Sequence, residues 1–268
     1  VQLGQRQAPP KVPGELGDLA QAMDAMRERL DGRERLEHLV RALTHELKSP
    51  LAALRGAGEL LQDELPSADR QRFAAQVVSQ SERMTELVER LLALSTLELR
   101  RGPEHPRPVA LVDAVDEALA QLGDRLGQQG LTVRWLRRDT VELQADAEML
   151  ALAISNLLTN AIDFAPAGSE LALQVGIKPA TDALGRRAFF ELRDHGPGVP
   201  AGAFAQLGER FFSTARPGSL RKGSGLGLAI VRQIAGLHRG ELRFEPAEPG
   251  LRVRLAFPLF TEPSQTSS

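Results

Sequence analysis

The chain has 268 residues, with 33 Lys and Arg against 35 Asp and Glu, a formal net charge of -2. That balance excludes a nucleic-acid binder working through general basic excess, and the absence of cysteine excludes a disulfide scaffold, a thiol nucleophile and Cys-ligated zinc. No stretch approaches the roughly 18 uninterrupted apolar residues of a membrane helix, and the start at Val1, with no signal-peptide pattern, reads as a soluble piece of something longer.

Residues 1–13 are polar and proline-bearing (Pro9, Pro10, Pro13), and irregular backbone is expected there. From Glu15 to about Arg101 the pattern is that of long helices. Helix A is expected from about Gly14 to Leu65, with a joint near Asp31-Gly32. Its apolar residues Leu36, Val40, Leu43, Leu47, Leu51, Leu54 and Leu61 recur at steps of three, four and seven, which is a bundle seam. Helix B is expected from Ala68 to Arg100, with Phe73, Val77, Met84, Leu87, Leu91 and Leu94 as its stripe. A short turn around Leu65-Pro66-Ser67 makes the two an antiparallel hairpin. Such a hairpin has little core of its own, so two copies paired as a four-helix bundle, a homodimer, are expected.

Arg101 to Pro108 carries three prolines and a glycine and reads as a linker at a domain boundary. Beyond it the pattern is mixed. Helices are expected over Leu111–Leu126, Asp146–Phe164 and Leu226–Leu237. Strands are expected over Leu131–Leu136, Val141–Leu143, Leu171–Ile177 and Ala188–Arg193, then a closing hairpin of Glu241–Phe244 and Leu251–Phe257. This is an α/β domain large enough for its own core. The polar tail from Thr261 to Ser268 is expected to be disordered.

Four constellations carry chemistry. In Thr44-His45-Glu46-Leu47-Lys48-Ser49-Pro50 the seam at Leu43 and Leu47 leaves His45 on the opposite, solvent side of helix A, with Ser49 one turn on. Pro50 is expected to bend the helix just beyond. An exposed imidazole with one free nitrogen and a neighbouring carboxylate can act as a nucleophile, although a lone surface histidine is usually only that. In the second, Asn156 and Asn160 stand four apart on one helix face, where two amides can ligate a hard cation or bond phosphate, or simply meet solvent. In the third, Asp194-His195-Gly196-Pro197-Gly198 follows a strand. A carboxylate there can accept a hydrogen bond from an exocyclic amine, and the same composition also makes a plain turn. In the fourth, Gly223-Ser224-Gly225-Leu226-Gly227 opens a helix and offers free N–H groups to phosphate. The stretch before it, Phe211 to Lys222, reads as a mobile loop and not a strand, which rejects a dinucleotide-binding βαβ unit. Arg216, Arg221 and Lys222 add positive charge beside it.

In this order the four constellations resemble the H, N, G1 and G2 boxes of a bacterial sensor histidine kinase, and Arg210-Phe211-Phe212-Ser213 resembles the F box between the last two. The resemblance covers about residues 35–258. THELKSPLAALRGAGELL, NAIDFAP and SGLGLAIV are most similar to CreC-type members, and Glu15 to Met23 resembles the second helix of a HAMP module. The resemblance implies an α+β multi-domain chain: a helical hairpin forming a dimeric four-helix bundle, then an α/β-sandwich ATP-binding domain of the GHKL type. It divides the chain into a HAMP-derived signalling helix over 1–34, the dimerisation and phosphotransfer hairpin over 35–101, a linker over 102–108, the catalytic domain over 109–260 and a tail over 261–268.

The implied activity is ATP-dependent phosphorylation of His45 and transfer to an aspartate of a response regulator, a CreB-like receiver domain. His45 would be the phosphoacceptor, Glu46 its base, and Ser49 the hydroxyl of a phosphatase motif. Asn160 would bind Mg²⁺ and Asn156 would sit near the metal and triphosphate of ATP. Asp163 and Phe164 would line the nucleotide site. Asp194 would read the adenine amino group in a pocket shaped by Gly196 and Gly198. Gly223, Gly225, Leu226 and Gly227 would form the hinge and phosphate cradle of a lid anchored by Phe211 and Phe212. Membrane attachment through segments outside this chain, at the cytoplasmic face of the inner membrane, is a further implication. No nucleic-acid partner is expected.

Two positions depart from the family pattern. Asp163 stands where many members have Lys or Arg, so compensation by Arg221 or Lys222 is expected. Ser49 stands where Thr or Asn is common, which puts phosphatase activity in question. Two other readings remain at this level. One is a GHKL-type ATPase that moves domains, as gyrase-, Hsp90- and MutL-like proteins do, but these use a Glu at the position resembling Asn156, and an amide is no general base. The other is a degenerate scaffold, favoured only by Asp163.

Overall fold

A computed structural model describes residues 40–41, 43–178, 185–214 and 223–259. The expectations for 1–34, Arg216, Arg221, Lys222 and the tail over 261–268 lie outside the described residues. The chain forms two compact units, Val1–Met84 and Thr85–Ser268.

In the first unit, helix α1 is described over 40–60 and continues through a buried Pro50. It ends earlier than the expected Leu65: a turn over 61–63 follows, closed by Leu61 N–H donating to the Ala57 carbonyl at 3.1 Å. Helix α2 then runs Ser67–Leu99 and passes from the first unit into the second. Ala57 and Gln80 are buried in this unit, while Val40, Leu51 and Val78 stand more than half exposed or at half. The exposed three lie on the helices that the apolar seam assigns to a bundle.

The second unit contains β1 Pro106–Ala110, α3 Leu111–Gln121, α4 Gly123–Gln129, β2 Thr132–Arg138 and β3 Glu142–Asp146. It continues with α5 Ala147–Phe164, β4 Glu170–Lys178, β5 Arg187–Arg193, a 3-10 turn Ala201–Gln206, α6 Gly227–Leu237, β6 Glu241–Pro246 and β7 Leu251–Pro258. Five strands form one sheet in the order β2-β4-β5-β7-β6, with β2 and β4 parallel and the other pairs antiparallel. Strand alternation gives this sheet two chemically different faces. Leu173, Val175, Phe190, Leu192, Leu255 and Phe257 point to the helix side and are buried. On the other face Glu191 is buried among arginines: Arg254 Nε donates to Glu191 Oε2 at 2.7 Å, and the guanidiniums of Arg137 and Arg254 lie 5.8 and 5.5 Å from the Phe189 ring centre. Arginine stems cover this face, which is why a charged residue can sit mid-sheet.

Two further expectations, both in the second unit, differ from the structure. The proline-bearing stretch over 101–108 is irregular only to residue 105. Pro106–Ala110 is a strand paired antiparallel with β3, from Pro106 opposite Asp146 to Ala110 opposite Glu142. Proline is tolerated because β1 has a single neighbour and needs only one side of its backbone to bond. The helix expected over Leu111–Leu126 is two helices, broken at Leu122, and the second ends on Gly130 in the left-handed region at φ 64°. Periodicity alone does not reveal the break, because Leu111, Val115, Ala118 and Leu126 keep one buried stripe across it.

Candidate functional site

Helix α5 positions the polar face of an open cleft in the second unit. Its start is set by Asp146, whose carboxylate caps the Met149 N–H at 3.2 Å. His238 at the end of α6 donates Nδ1–H to the Ile234 carbonyl at 2.9 Å, which leaves Nε2 to accept the Asp146 N–H at 3.1 Å. The buried imidazole thereby ties α6 to the start of α5. Ile154, Leu157, Leu158, Ala161 and Ile162 are buried, so Asn156, Thr159, Asn160, Asp163 and Phe164 are left to line the cleft. Asn156 Nδ2 donates to the Leu152 carbonyl at 2.8 Å, which orients its amide. Its Oδ1 lies 2.9 Å from where a Cβ on Gly227 would be, so a side chain there would displace the Asn156 amide.

Asp194 follows β5 on the helix-facing side of the sheet and is buried. Its Oδ1 accepts N–H groups from Gly196 at 2.8 Å and Leu251 at 3.2 Å, which leaves Oδ2 for a ligand. Burial raises its pKa above the ordinary carboxylate value, partly offset by those two backbone donors. His195 does not face the cleft; its Nδ1–H donates to the Glu170 carbonyl at 2.7 Å.

The glycine-rich segment meets the F-box residues through backbone. Phe211 N–H donates to the Gly225 carbonyl at 3.1 Å, and Phe211 itself holds φ 61°, a left-handed conformation that costs a non-glycine residue roughly 1–2 kcal/mol. A Cβ on Gly225 would fall 2.4 Å from the Phe211 carbonyl carbon, and Gly225 also has φ 67°. Helix α6 starts at Gly227 without a side-chain cap bond, so its first N–H groups remain available to an anion.

Of the residues expected at the nucleotide site, Asn156, Asn160, Asp163, Phe164, Asp194, Gly198, Gly223, Gly225 and Gly227 line this one cleft. Gly196 stands behind, holding Asp194. Leu226 is fully buried, and Phe212 lines the cleft while Phe211 does not. Arg221 and Lys222, the expected compensation for Asp163, lie outside the described residues. Among the described residues, Asp163 pairs with Arg125 of α4, Nη2 to Oδ1 at 2.7 Å. Three further residues were not legible as site residues. Arg125 and Arg90 are cations far from the motifs in the chain. Gly250 would place a Cβ 1.9 Å from the Asp194 carbonyl oxygen; a glycine after Pro249 in a hairpin turn was the one available signal.

The cleft suits ATP by its own structure: a buried carboxylate with a free oxygen at one wall, glycines whose Cβ atoms would fill the cradle, and an uncapped helix start. Asn160 can give a cation one amide oxygen, the sparse protein ligation Mg²⁺ accepts alongside phosphate oxygens. Among the described residues no cluster of three His, Asp or Glu forms an all-protein metal cage.

In the first unit, the side chain of His45 is 86% exposed, with Nδ1 3.8 Å from Glu46 Oε1, and Glu46 is only 23% exposed. Ser49, one turn on, is exposed as well.

Residues 35–100 match the His Kinase A (phospho-acceptor) domain. Residues 145–261 match the histidine kinase-, DNA gyrase B- and HSP90-like ATPase domain. The chain is 37% identical over 238 residues to sensor protein CreC of Escherichia coli (strain K12), covering 88% of this chain and 48% of that protein. It is 33% identical over 245 residues to sensor protein QseC of the same organism, covering 89% and 51%. Full-length ShkA, solved in complex with AMPPNP, is similar at 25% identity and TM-score 0.58, over 82% of this chain and 45% of that one. The chain spans about half the length of the curated relatives it matches.

Proposed function

From the premise that this chain belongs to the bacterial sensor histidine kinases, we propose that it phosphorylates His45 with ATP and passes the phosphoryl group to an aspartate of a response regulator. The observation that carries the reading is the convergence of Asn156, Asn160, Asp194 and three lid glycines on one cleft, in a chain that separately presents an exposed histidine with a carboxylate beside it.

The chemistry asks for placement and charge neutralisation more than covalent help. Asp194 Oδ2 takes the adenine amino group. The N–H groups at the start of α6 take phosphate oxygens. Asn160 would hold Mg²⁺, whose charge would offset that of the triphosphate. Glu46 lies 3.8 Å from His45 on its Nδ1 side, where closer approach would let it orient the ring through Nδ1–H and leave Nε2 as the nucleophile. A bond forms from Nε2 to the γ-phosphorus, the β–γ bridging oxygen leaves with ADP, and the Nε2–P bond is later broken by the regulator's aspartate. In the phosphatase direction the Ser49 hydroxyl would orient the water that hydrolyses the regulator's aspartyl phosphate to aspartate and inorganic phosphate, a role its departure from Thr or Asn puts in question.

The exposed Val40, Leu51 and Val78 support pairing of two hairpins as a homodimeric four-helix bundle. A CreB-like receiver domain is the partner we propose, and attachment to the inner membrane through segments outside this chain is the location. No helix among the described residues is long and apolar enough to cross a membrane. Nothing favours the hydrolytic or scaffold readings: the Asn156 amide is held by Leu152 and cannot take a proton from water, and Asp163 is neutralised by Arg125.

The test is autophosphorylation with γ-labelled ATP and Mg²⁺, comparing wild type with His45→Gln and Asn160→Ala. Label that is acid-labile and base-stable in wild type, and lost in both variants, is expected. Wild type that binds ATP yet labels neither its own His45 nor a separately supplied hairpin would overturn the reading.

A further inference from the structure

Arg90, on the part of α2 that belongs to the second unit, reaches the nucleotide cleft. Among the described residues lining that cleft it is the one Lys or Arg, against the carboxylates of Asp163 and Asp194. Its Nη1 lies 3.6 Å from the Cβ position of Gly227, where Asn156 Oδ1 also converges. Its Nη2 is held by Glu86, one turn earlier, at 2.5 Å. Arg90, Asn156 and Thr159 also line a second cavity beside the first, which Asp194, Asp163 and Phe164 do not reach. The guanidinium therefore stands at the end of the cleft away from the adenine-reading carboxylate.

The same stretch of helix is fastened to the ATP-binding fold. Gln233 of α6 donates to the Leu97 carbonyl at 3.2 Å, and Arg210 pairs with Glu98. Glu86 is a weak competitor for Arg90: its side chain is 58% exposed, and exposed ion pairs contribute little. A phosphate is a stronger partner for a guanidinium, which meets it with a two-pronged fork.

We propose that Arg90 of the hairpin helix is a phosphate-binding residue of the nucleotide site, exchanging Glu86 for the terminal phosphate of ATP, so that ATP holds this end of α2 to the ATP-binding fold more firmly than ADP does. The proposal rests on the ATP site described above. It gives the second helix of the phosphoacceptor hairpin a direct reading of which nucleotide is bound.

The test is equilibrium titration of the whole chain with AMPPNP and with ADP, both with Mg²⁺, for wild type, Arg90→Gln, Arg90→Lys and Glu86→Gln. Thermal melts and ADP binding report that each variant is folded. Arg90→Gln is expected to weaken AMPPNP about tenfold and ADP less than twofold, Arg90→Lys to recover part of the loss, and Glu86→Gln to tighten AMPPNP by removing the competitor. Hydrogen exchange over residues 85–99 is expected to slow more with AMPPNP than with ADP in wild type, and equally with the two in Arg90→Gln. Equal losses for AMPPNP and ADP, or no loss for either, would overturn the role of Arg90 while leaving the ATP site standing. Wild type that binds neither nucleotide would overturn both.

Discussion

Arg125 Nη2 lies 2.7 Å from Asp163 Oδ1, so the carboxylate that faces the nucleotide cleft is neutralised by a helix outside it. The pair joins α4 to the last turn of α5, 38 residues apart in the chain. It reconciles an acidic residue at this position with the binding of a polyanion: the charge at the cleft wall is that of a pair and not of a lone carboxylate.

The first prediction follows from that pair. Asp163 is only 11% exposed, whereas Arg125 is 42% exposed. Arg125→Met is expected to cost about 1 kcal/mol of stability, discounted for solvent on the arginine side, and to weaken AMPPNP binding several-fold. In an Asp163→Asn background the same substitution is expected to be near neutral in both. A double-mutant cycle by urea unfolding and nucleotide titration checks this; additive losses would show the two residues to be uncoupled.

Asp194 makes nucleotide binding sensitive to acid. Burial raises its pKa above 3.8, with the Gly196 and Leu251 N–H groups opposing. Because the folded value lies above the unfolded one, the ionised form costs the fold stability above that pKa, and the cost disappears as pH falls toward the unfolded value. Nucleotide binding runs the other way, since the adenine amino group bonds to the ionised carboxylate. ADP affinity is expected to fall on acidification at a higher pH than an ordinary aspartate would set. Asp194→Asn is expected to bind weakly and without that dependence, as measured by calorimetry across the acid range.

Gly225 is a place where one methyl group should disable the site without unfolding the domain. Its Cβ would collide with the Phe211 backbone at 2.4 Å, and the Phe211 N–H bond to its carbonyl would be lost. Gly225→Ala is expected to weaken nucleotide binding about tenfold or more with a small change in melting temperature. Gly236 in α6 has open space around it, and Gly236→Ala serves as the control, stabilising by roughly 0.5–1 kcal/mol.

Asp146 is the joint between β3 and α5. For its carboxyl, burial pushes the pKa up, but N–H groups of Met149, His105 and Glu148 outweigh it and the net value lies below 3.8. A lowered folded pKa contributes stability that is present above the unfolded value and is lost as pH falls through the folded one. Asp146→Ala is expected to cost about 1–2 kcal/mol at neutral pH through loss of the cap. The difference from wild type should shrink in strong acid, as followed by chemical unfolding at several pH values.

Much of the architecture was open to sequence reasoning because its signals are local. A buried stripe with a helical period is written in consecutive turns, so α2 and α5 appear within a residue or two of their observed bounds. A short apolar run marks β5 and alternating apolar residues mark β7 in the same way. The cleft residues from α5, the turn after β5 and the start of α6 were legible as motifs, each being a short segment whose backbone geometry its own residues enforce.

What local pattern misreads are elements whose partner is distant. Pro106–Ala110 has the composition of a linker and becomes a strand only because β3 lies beside it. The break at Leu122 keeps the apolar stripe in phase and so hides itself.

By itself, then, the sequence determined the helical hairpin, most strands and helices of the second domain and the order of the motif residues, because backbone preference and one-dimensional periodicity settle those within a few turns. Only the tertiary structure decided that Arg125 neutralises Asp163, that Arg90 enters the cleft beside Gly227, that Gly250 clears the Asp194 carbonyl and that His238 ties α6 to α5. Each of those is a contact between side chains or backbones brought together by sheet order and helix packing, and no spacing along the chain encodes which distant group will fill the remaining space.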